Sequence, residues 1–147
     1  MALNNINDLV PLTTNQREIW LEQELFPCSP IYNIGGYVEI KASVDYDVFS
    51  RAVKYVVEEN DSLQIVLEKH EGIAHQRFVQ PDGVDLHVKD FSDDEDSYSR
   101  CLAWMRKEFE KPFNLHGDHL FHFTLIKVSS EHYVWLSKYH HMIRSEE

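Results

Sequence analysis

The sequence predicts an α+β domain, a mixed and mostly antiparallel sheet with helices packed on one face. Three observations predict it. Apolar residues recur at helical spacing between Asp45 and Asn60. Apolar and polar residues alternate over short stretches bounded by turn residues. The last two of these stretches meet around Ser129-Ser130, a connection short enough for a hairpin of antiparallel neighbours.

Thr13-Thr14-Asn15-Gln16 has the pattern of a capping box, in which a threonine oxygen accepts from a free backbone N–H while the glutamine reaches back, so a helix follows to about Leu25. Pro27 and Pro30 break the chain. Residues 31–40 read as a strand containing Gly35-Gly36, a pair that implies a bulge or a close backbone approach. In the next helix Val48, Phe49, Ala52, Val53, Val56 and Val57 form one side, with Arg51, Lys54, Glu58 and Glu59 on the other. Three short strands follow at residues 63–68, 73–79 and 84–89, separated by Glu71-Gly72 and by Pro81-Asp82-Gly83. In the third, Val84, Leu86 and Val88 alternate with Asp85, His87 and Lys89, so one of its faces is wet. The acidic run Asp90, Asp93, Asp94, Glu95 and Asp96 then precedes a helix over about 96–110, where acids suit the positive end of the helix dipole. Leu102, Met105 and Phe109 share a face of that helix, Pro112 ends it, and residues 120–128 and 132–140 are the closing strands.

The 147 residues carry 14 basic and 25 acidic side chains, a net charge of −11, at 43% hydrophobic content. A chain of this length buries roughly 68–70% of its unfolded surface, so it needs no covalent staples. Binding a polyanion draws on clustered Lys and Arg, and nowhere do more than two basic residues adjoin, which argues against nucleic acid. Cys28 and Cys101 are too few for a disulfide scaffold, and a reducing cytoplasmic setting is expected. The first ten residues lack a signal-peptide pattern, and no run approaches the ~20 apolar residues of a membrane span.

Two histidine groups are candidates for chemistry. His116, His119 and His122 fail as a zinc site, because a strand beginning at Leu120 turns His119 and His122 to opposite faces and no cysteine completes a tetrahedron. His140-His141 lies at the end of the last strand. In the pleat Tyr133, Trp135, Ser137, Tyr139 and His141 share one face, so one histidine of the pair can be buried while the other meets a cleft. An imidazole there suits proton handling, since its unperturbed pKa of about 6.5 is close to neutral, but on periodicity alone a lone imidazole is more often a hydrogen-bonded structural group.

Several stretches together resemble a known family. Pro-Leu-Thr-Thr-Asn-Gln-Arg-Glu-Ile-Trp (11–20), Ser-Pro-Ile-Tyr-Asn-Ile-Gly-Gly-Tyr-Val-Glu-Ile (29–40), Asn-Asp-Ser-Leu-Gln-Ile-Val-Leu (60–67), Lys-Pro-Phe-Asn-Leu (111–115) and Tyr-His-His-Met-Ile-Arg (139–144) are similar, in order and spacing, to motifs of the condensation domains of non-ribosomal peptide synthetases. The last resembles the opening of their H-H-x-x-x-D-G signature. Two departures stand out: Ser145 and Glu146 occupy the places of the signature Asp and Gly, and the sequence stops at Glu147.

The resemblance implies a chloramphenicol-acetyltransferase-like fold, of which residues 1–147 are the N-terminal lobe, with a second lobe absent from this chain. It implies amide-bond formation, in which an aminoacyl amine attacks an acyl or peptidyl thioester, both borne on the 4'-phosphopantetheine arms of carrier protein domains. No cofactor is consumed. By position His141 would be catalytic and His140 structural; Ser145 would lack the charge through which the family Asp holds the loop. Carrier domains and the second lobe are the implied partners, and loss of a lobe would leave an apolar face for self-association through the last strands. Other readings are a different acyltransferase or an epimerising relative of the same superfold, or a non-catalytic docking module. A lone lobe is expected to be inactive.

Overall fold

A computed structural model describes residues 9–80, 84 and 86–144. Its elements run β1 (Val10–Pro11), α1 (Thr14–Leu25), β2 (Asn33–Ile40), α2 (Tyr46–Glu58), β3 (Ile65–His70), β4 (Ile73–Phe78), β5 (His87–Asp90), α3 (Ser97–Phe109), β6 (Phe121–Ser129) and β7 (His132–His140), with short 3-10 turns at Asp61–Gln64 and His141–Ile143. The mixed α+β composition and the dominance of antiparallel pairing agree with the sequence reading. The expected Pro81-Asp82-Gly83 turn lies outside the described residues.

The strands form two sheets, a three-stranded one in the order β1-β4-β3 and a four-stranded one in the order β2-β7-β6-β5. All pairings are antiparallel except β5 with β6. The third of the three short strands therefore leaves its neighbours in sequence and joins the second sheet.

Helices flank the four-stranded sheet on both sides, where the sequence pointed to one covered face. The reason lies in β6 and β7, whose two pleat faces are both apolar. On one face Phe123 and Leu125 share a core with Val53 and Val57 of α2 and with Leu67 of β3, and Phe49 of α2 meets Trp135 edge-on at 5.3 Å. On the other face Ile126, Val128, Val134 and Leu136 pack against Cys101 and Met105 of α3. Both faces of the last strands thus carry packed side chains. Large exposed apolar side chains lie elsewhere, on α1 and its exit (Leu21, Leu25, Phe26, Ile31), on the edge strand β2 (Tyr37, Val38) and on α2 (Tyr55, Val56).

α3 is fastened at its end rather than at its start. Asp96 occupies the N-cap at the positive end of the helix dipole, without a side-chain bond to the first turn, and Asp94 pairs with Arg100. At the C-terminal end, buried Asn33 donates to the Phe109 and Lys111 carbonyls at 2.7 and 2.8 Å. Buried Lys138 donates to those of Glu108 and Lys111 at 2.9 and 2.7 Å. Carbonyls left over by the last helical turn are thereby satisfied, and a cation sits at the negative end of the dipole.

The glycine pair in β2 marks a close approach. The β2–β7 register runs without interruption from Asn33 opposite His140 to Ile40 opposite Tyr133. Gly35 has φ +143°, and a Cβ on it would lie 2.0 Å from the Ser137 carbonyl oxygen, whereas one on Gly36 would meet nothing within 4 Å. Gly35→Ala is expected to destabilise the fold by ~3 kcal/mol through backbone strain and overlap, and Gly36→Ala to be close to neutral. Urea unfolding of the two variants checks this; equal midpoints would refute the close-approach account.

Candidate active site

Two elements meet at the end of β7. β7 stops at His140, and the chain turns at once into the 3-10 segment His141–Ile143, so His141 leaves the pleat and its place is set by the turn rather than by strand alternation. The N–H of His140 donates to the Leu120 carbonyl and that of His141 to the Tyr32 carbonyl, both at 2.8 Å. The Arg144 N–H closes the turn on the His141 carbonyl at 3.1 Å.

α1 holds the turn from the other side. Its capping box forms as the sequence predicts, with the Thr13 N–H donating to Gln16 Oε1 at 2.9 Å and the Gln16 N–H to Thr13 Oγ1 at 3.3 Å. The Gln16 Nε2 has a second task. It donates to the Met142 carbonyl and to Gln76 Oε1, each at 3.2 Å, and so joins the helix start, the turn and β4.

The two histidines differ in surroundings. His140 is 1% exposed, with its ring between Tyr32 and Phe113 at centroid distances of 5.9 and 6.0 Å. His141 is half-buried and lines a cavity of about 900 Å³ together with Gln16, Glu18 and Glu22 of α1, Tyr32 and Arg144. The Tyr32 hydroxyl donates to Glu22 at 2.6 Å; this bond to a carboxylate, with burial adding to it, raises the phenol pKa, so Tyr32 keeps its proton. Among the cavity residues His141 is the imidazole that faces open space.

The remaining site candidates are placed apart. His116 pairs with Glu24 at 2.6 Å, His119 Nε2 lies 3.0 Å from the Val79 carbonyl, and His122 lies 3.7 Å from Glu108 while stacking on His87 at 4.4 Å. No group of three or more His, Cys, Asp or Glu side chains suited to a metal ion occurs among the described residues. Ser145 lies outside them. Gln16, Gln23 and Tyr32 belong to the site although no sequence pattern assigned them a role there; the two glutamines show only polarity inside a helix, which reads as solvent exposure, and Tyr32 stands in the turn before β2.

The fold and this site define a condensation domain. The family profile for condensation domains matches residues 6–144, and the chain belongs to that family. Among curated relatives it is 32% identical over 145 residues to isonitrile lipopeptide synthase of Streptomyces coeruleorubidus, and 32% identical over 131 residues to the dimodular nonribosomal peptide synthase of Bacillus subtilis. These matches cover 96% and 89% of this chain, which spans 10% and 6% of the two relatives. A solved starter condensation domain of rhizomide synthetase RzmA, a variant in complex with C8-CoA, superposes with a TM-score of 0.86 at 32% identity, over 93% of this chain and 32% of that one. The first condensation domain of the calcium-dependent antibiotic synthetase, bound to a substrate analogue, gives 0.79 at 26% identity, over 90% and 32%. Among the described residues no helix is long and apolar enough to cross a membrane.

The burial of His140 has a consequence for acid stability. Desolvation pulls its imidazole down to about 4, and the neighbouring His141 adds to the shift. Between pH ~6.5 and that value the unfolded chain takes up a proton at this position that the folded chain refuses. Stability is therefore fully present above pH ~6.5 and falls as the pH drops through this window, by ~3 kcal/mol in all. Urea unfolding at a series of pH values should show this slope, and His140→Asn, which cannot titrate, should flatten it. An identical slope in the variant would assign the acid sensitivity to other groups.

Proposed function

We propose that residues 1–147 form the N-terminal lobe of a condensation domain and supply one wall of a site for amide-bond formation between carrier-bound substrates. The single observation that carries this reading is the division of labour in the pair, with His141 on an open cavity and His140 enclosed in the core. The amine nitrogen of an aminoacyl group attacks the carbonyl carbon of an acyl or peptidyl thioester. The C–N bond forms, and the amine proton passes to the His141 imidazole or is held by it as charge develops. The C–S bond then breaks, and the proton leaves with the phosphopantetheine thiol. An acyl thioester, C8-CoA, in a related starter domain supports the thioester half of this scheme. The carrier domains and a second lobe are the partners the reading requires, and the substrates bring their own phosphopantetheine arms, so the reaction calls for no further cofactor.

The test needs a synthetase module containing this segment and a second lobe. There His141→Ala is expected to lower condensation between two loaded carrier domains by ~10²-fold or more, the scale of a positioned proton-transfer group. The 147-residue chain alone should give no product above background, because positioning by the other wall is absent. Undiminished product from the His141→Ala module would remove the catalytic role, and steady turnover by the chain alone would remove the one-lobe assignment.

A further inference from the structure

Gln16 and Gln23 stand seven residues apart on α1, two turns along one face, and both reach the segment that carries His141. Gln23 is 5% exposed, and its neighbours fix which end of its amide points where. Its Nε2 donates to the Phe26 carbonyl at 2.7 Å and to the Ser29 carbonyl at 3.1 Å, so both amide hydrogens are engaged by the loop that follows the helix. Only Oε1 remains for His140, whose Nε2 lies 3.4 Å away. A carboxamide oxygen accepts and cannot donate, so the proton of the ring is on Nε2. On the opposite side the Met142 N–H, which can only donate, meets His140 Nδ1 at 3.3 Å, so Nδ1 carries a lone pair.

We propose that Gln23 is a positioning residue that holds His140 as the neutral Nε2–H tautomer, and through the Nδ1···H–N bond to Met142 sets the turn on which His141 stands. The proposal rests on the reading of His141 as the working group. Burial alone would keep His140 neutral, but it would not choose between tautomers. The Nδ1–H form would set two N–H groups against each other at Met142 and leave Gln23 Oε1 facing a bare nitrogen, so it would lose both bonds and release the start of the turn. Among the described residues, the titratable and charged groups that face His140 are His141 next to it, Tyr32 with its partner Glu22, and Lys138, which lies over the far ring, Phe113, at 4.7 Å.

The test is long-range ¹H–¹⁵N NMR of the 147-residue chain, with imidazole titrations and Met142 amide exchange. In the native chain His140 should show a protonated Nε2 and a bare Nδ1. In Gln23→Met, of similar length but without an acceptor, the single tautomer should give way to a mixture, Met142 amide exchange should quicken by about tenfold, and the His141 midpoint should move. In Gln23→Glu the carboxylate should favour the imidazolium, raising the His140 midpoint by about one unit or more and lowering that of His141 as a like charge forms beside it. A native His140 protonated on Nδ1 overturns the proposal whether or not the variants fold. So does a folded Gln23→Met chain with an unchanged tautomer and an unmoved His141 midpoint. None of these readouts involves condensation, so the failure of the catalytic role given to His141 would register only in the module assay.

Discussion

The four-stranded sheet depends on β7 being paired on both edges and buried on both faces. β2 and β6 take up its backbone groups along its whole length, apart from the irregularity between Lys127 and Ser129 of β6. Its side chains are divided between two cores, Trp135 and Tyr139 joining the cluster shared with α2 and the three-stranded sheet, Val134 and Leu136 the cluster under α3. A strand so held cannot slide. A shift of one residue would exchange the two faces completely, putting Trp135 under α3 and Leu136 against Phe49. The end of β7 is consequently a fixed point in the molecule, and the cavity residue His141 is the first residue beyond it.

Rigidity at a strand end still leaves the next residues free to fray, and here α1 completes the arrangement. Its amphipathicity is weak: among its residues only Trp20 and Gln23 are buried. The helix is useful for its polar contacts rather than for a hydrophobic stripe. Gln16 takes the carbonyl of Met142 and Gln23 takes the ring of His140, and with the Tyr32 carbonyl receiving the His141 N–H the turn is bound from three places distant in sequence. A buried carboxamide needs every polar group satisfied, since an unpaired one costs ~1–3 kcal/mol, and Gln23 meets this with two carbonyls and one ring nitrogen.

Elements that rest on local signals were legible in the sequence. The valine spacing of α2, the capping box of α1, the β6–β7 hairpin and the near approach at Gly35-Gly36 all follow from neighbours within a turn or a pleat. What escaped is set by partners far along the chain. β1 is two residues that exist as a strand only because β4 accepts them, and β5 pairs in parallel with β6 instead of with the hairpin just before it. His141 illustrates both sides. Alternation set the two histidines apart and the family resemblance pointed to His141 for the open side, yet the strand had already ended, and a 3-10 turn tied to Tyr32 and Gln16 puts it there. Motif order identified the family because it samples the whole chain at once, including parts whose long-range contacts no local pattern displays.

The same register that buries His140 also explains a lysine in the core. Lys138 lies two residues before His140 on the face toward α3, where burial depresses its pKa and the Glu108 carboxylate opposes that shift. Such a group is tolerated only with hydrogen-bonding partners, and the carbonyls at the end of α3 are a set of acceptors that no apolar residue could serve. Asn33, paired opposite His140 in β2, reaches the same helix end. Moving β7 by one residue would withdraw Lys138 from those carbonyls at the moment it turned His140 out of its pocket. The polar closure of α3 and the burial of His140 are thus one constraint, and Lys138 and Asn33 set the register that a purely apolar strand would leave to packing alone.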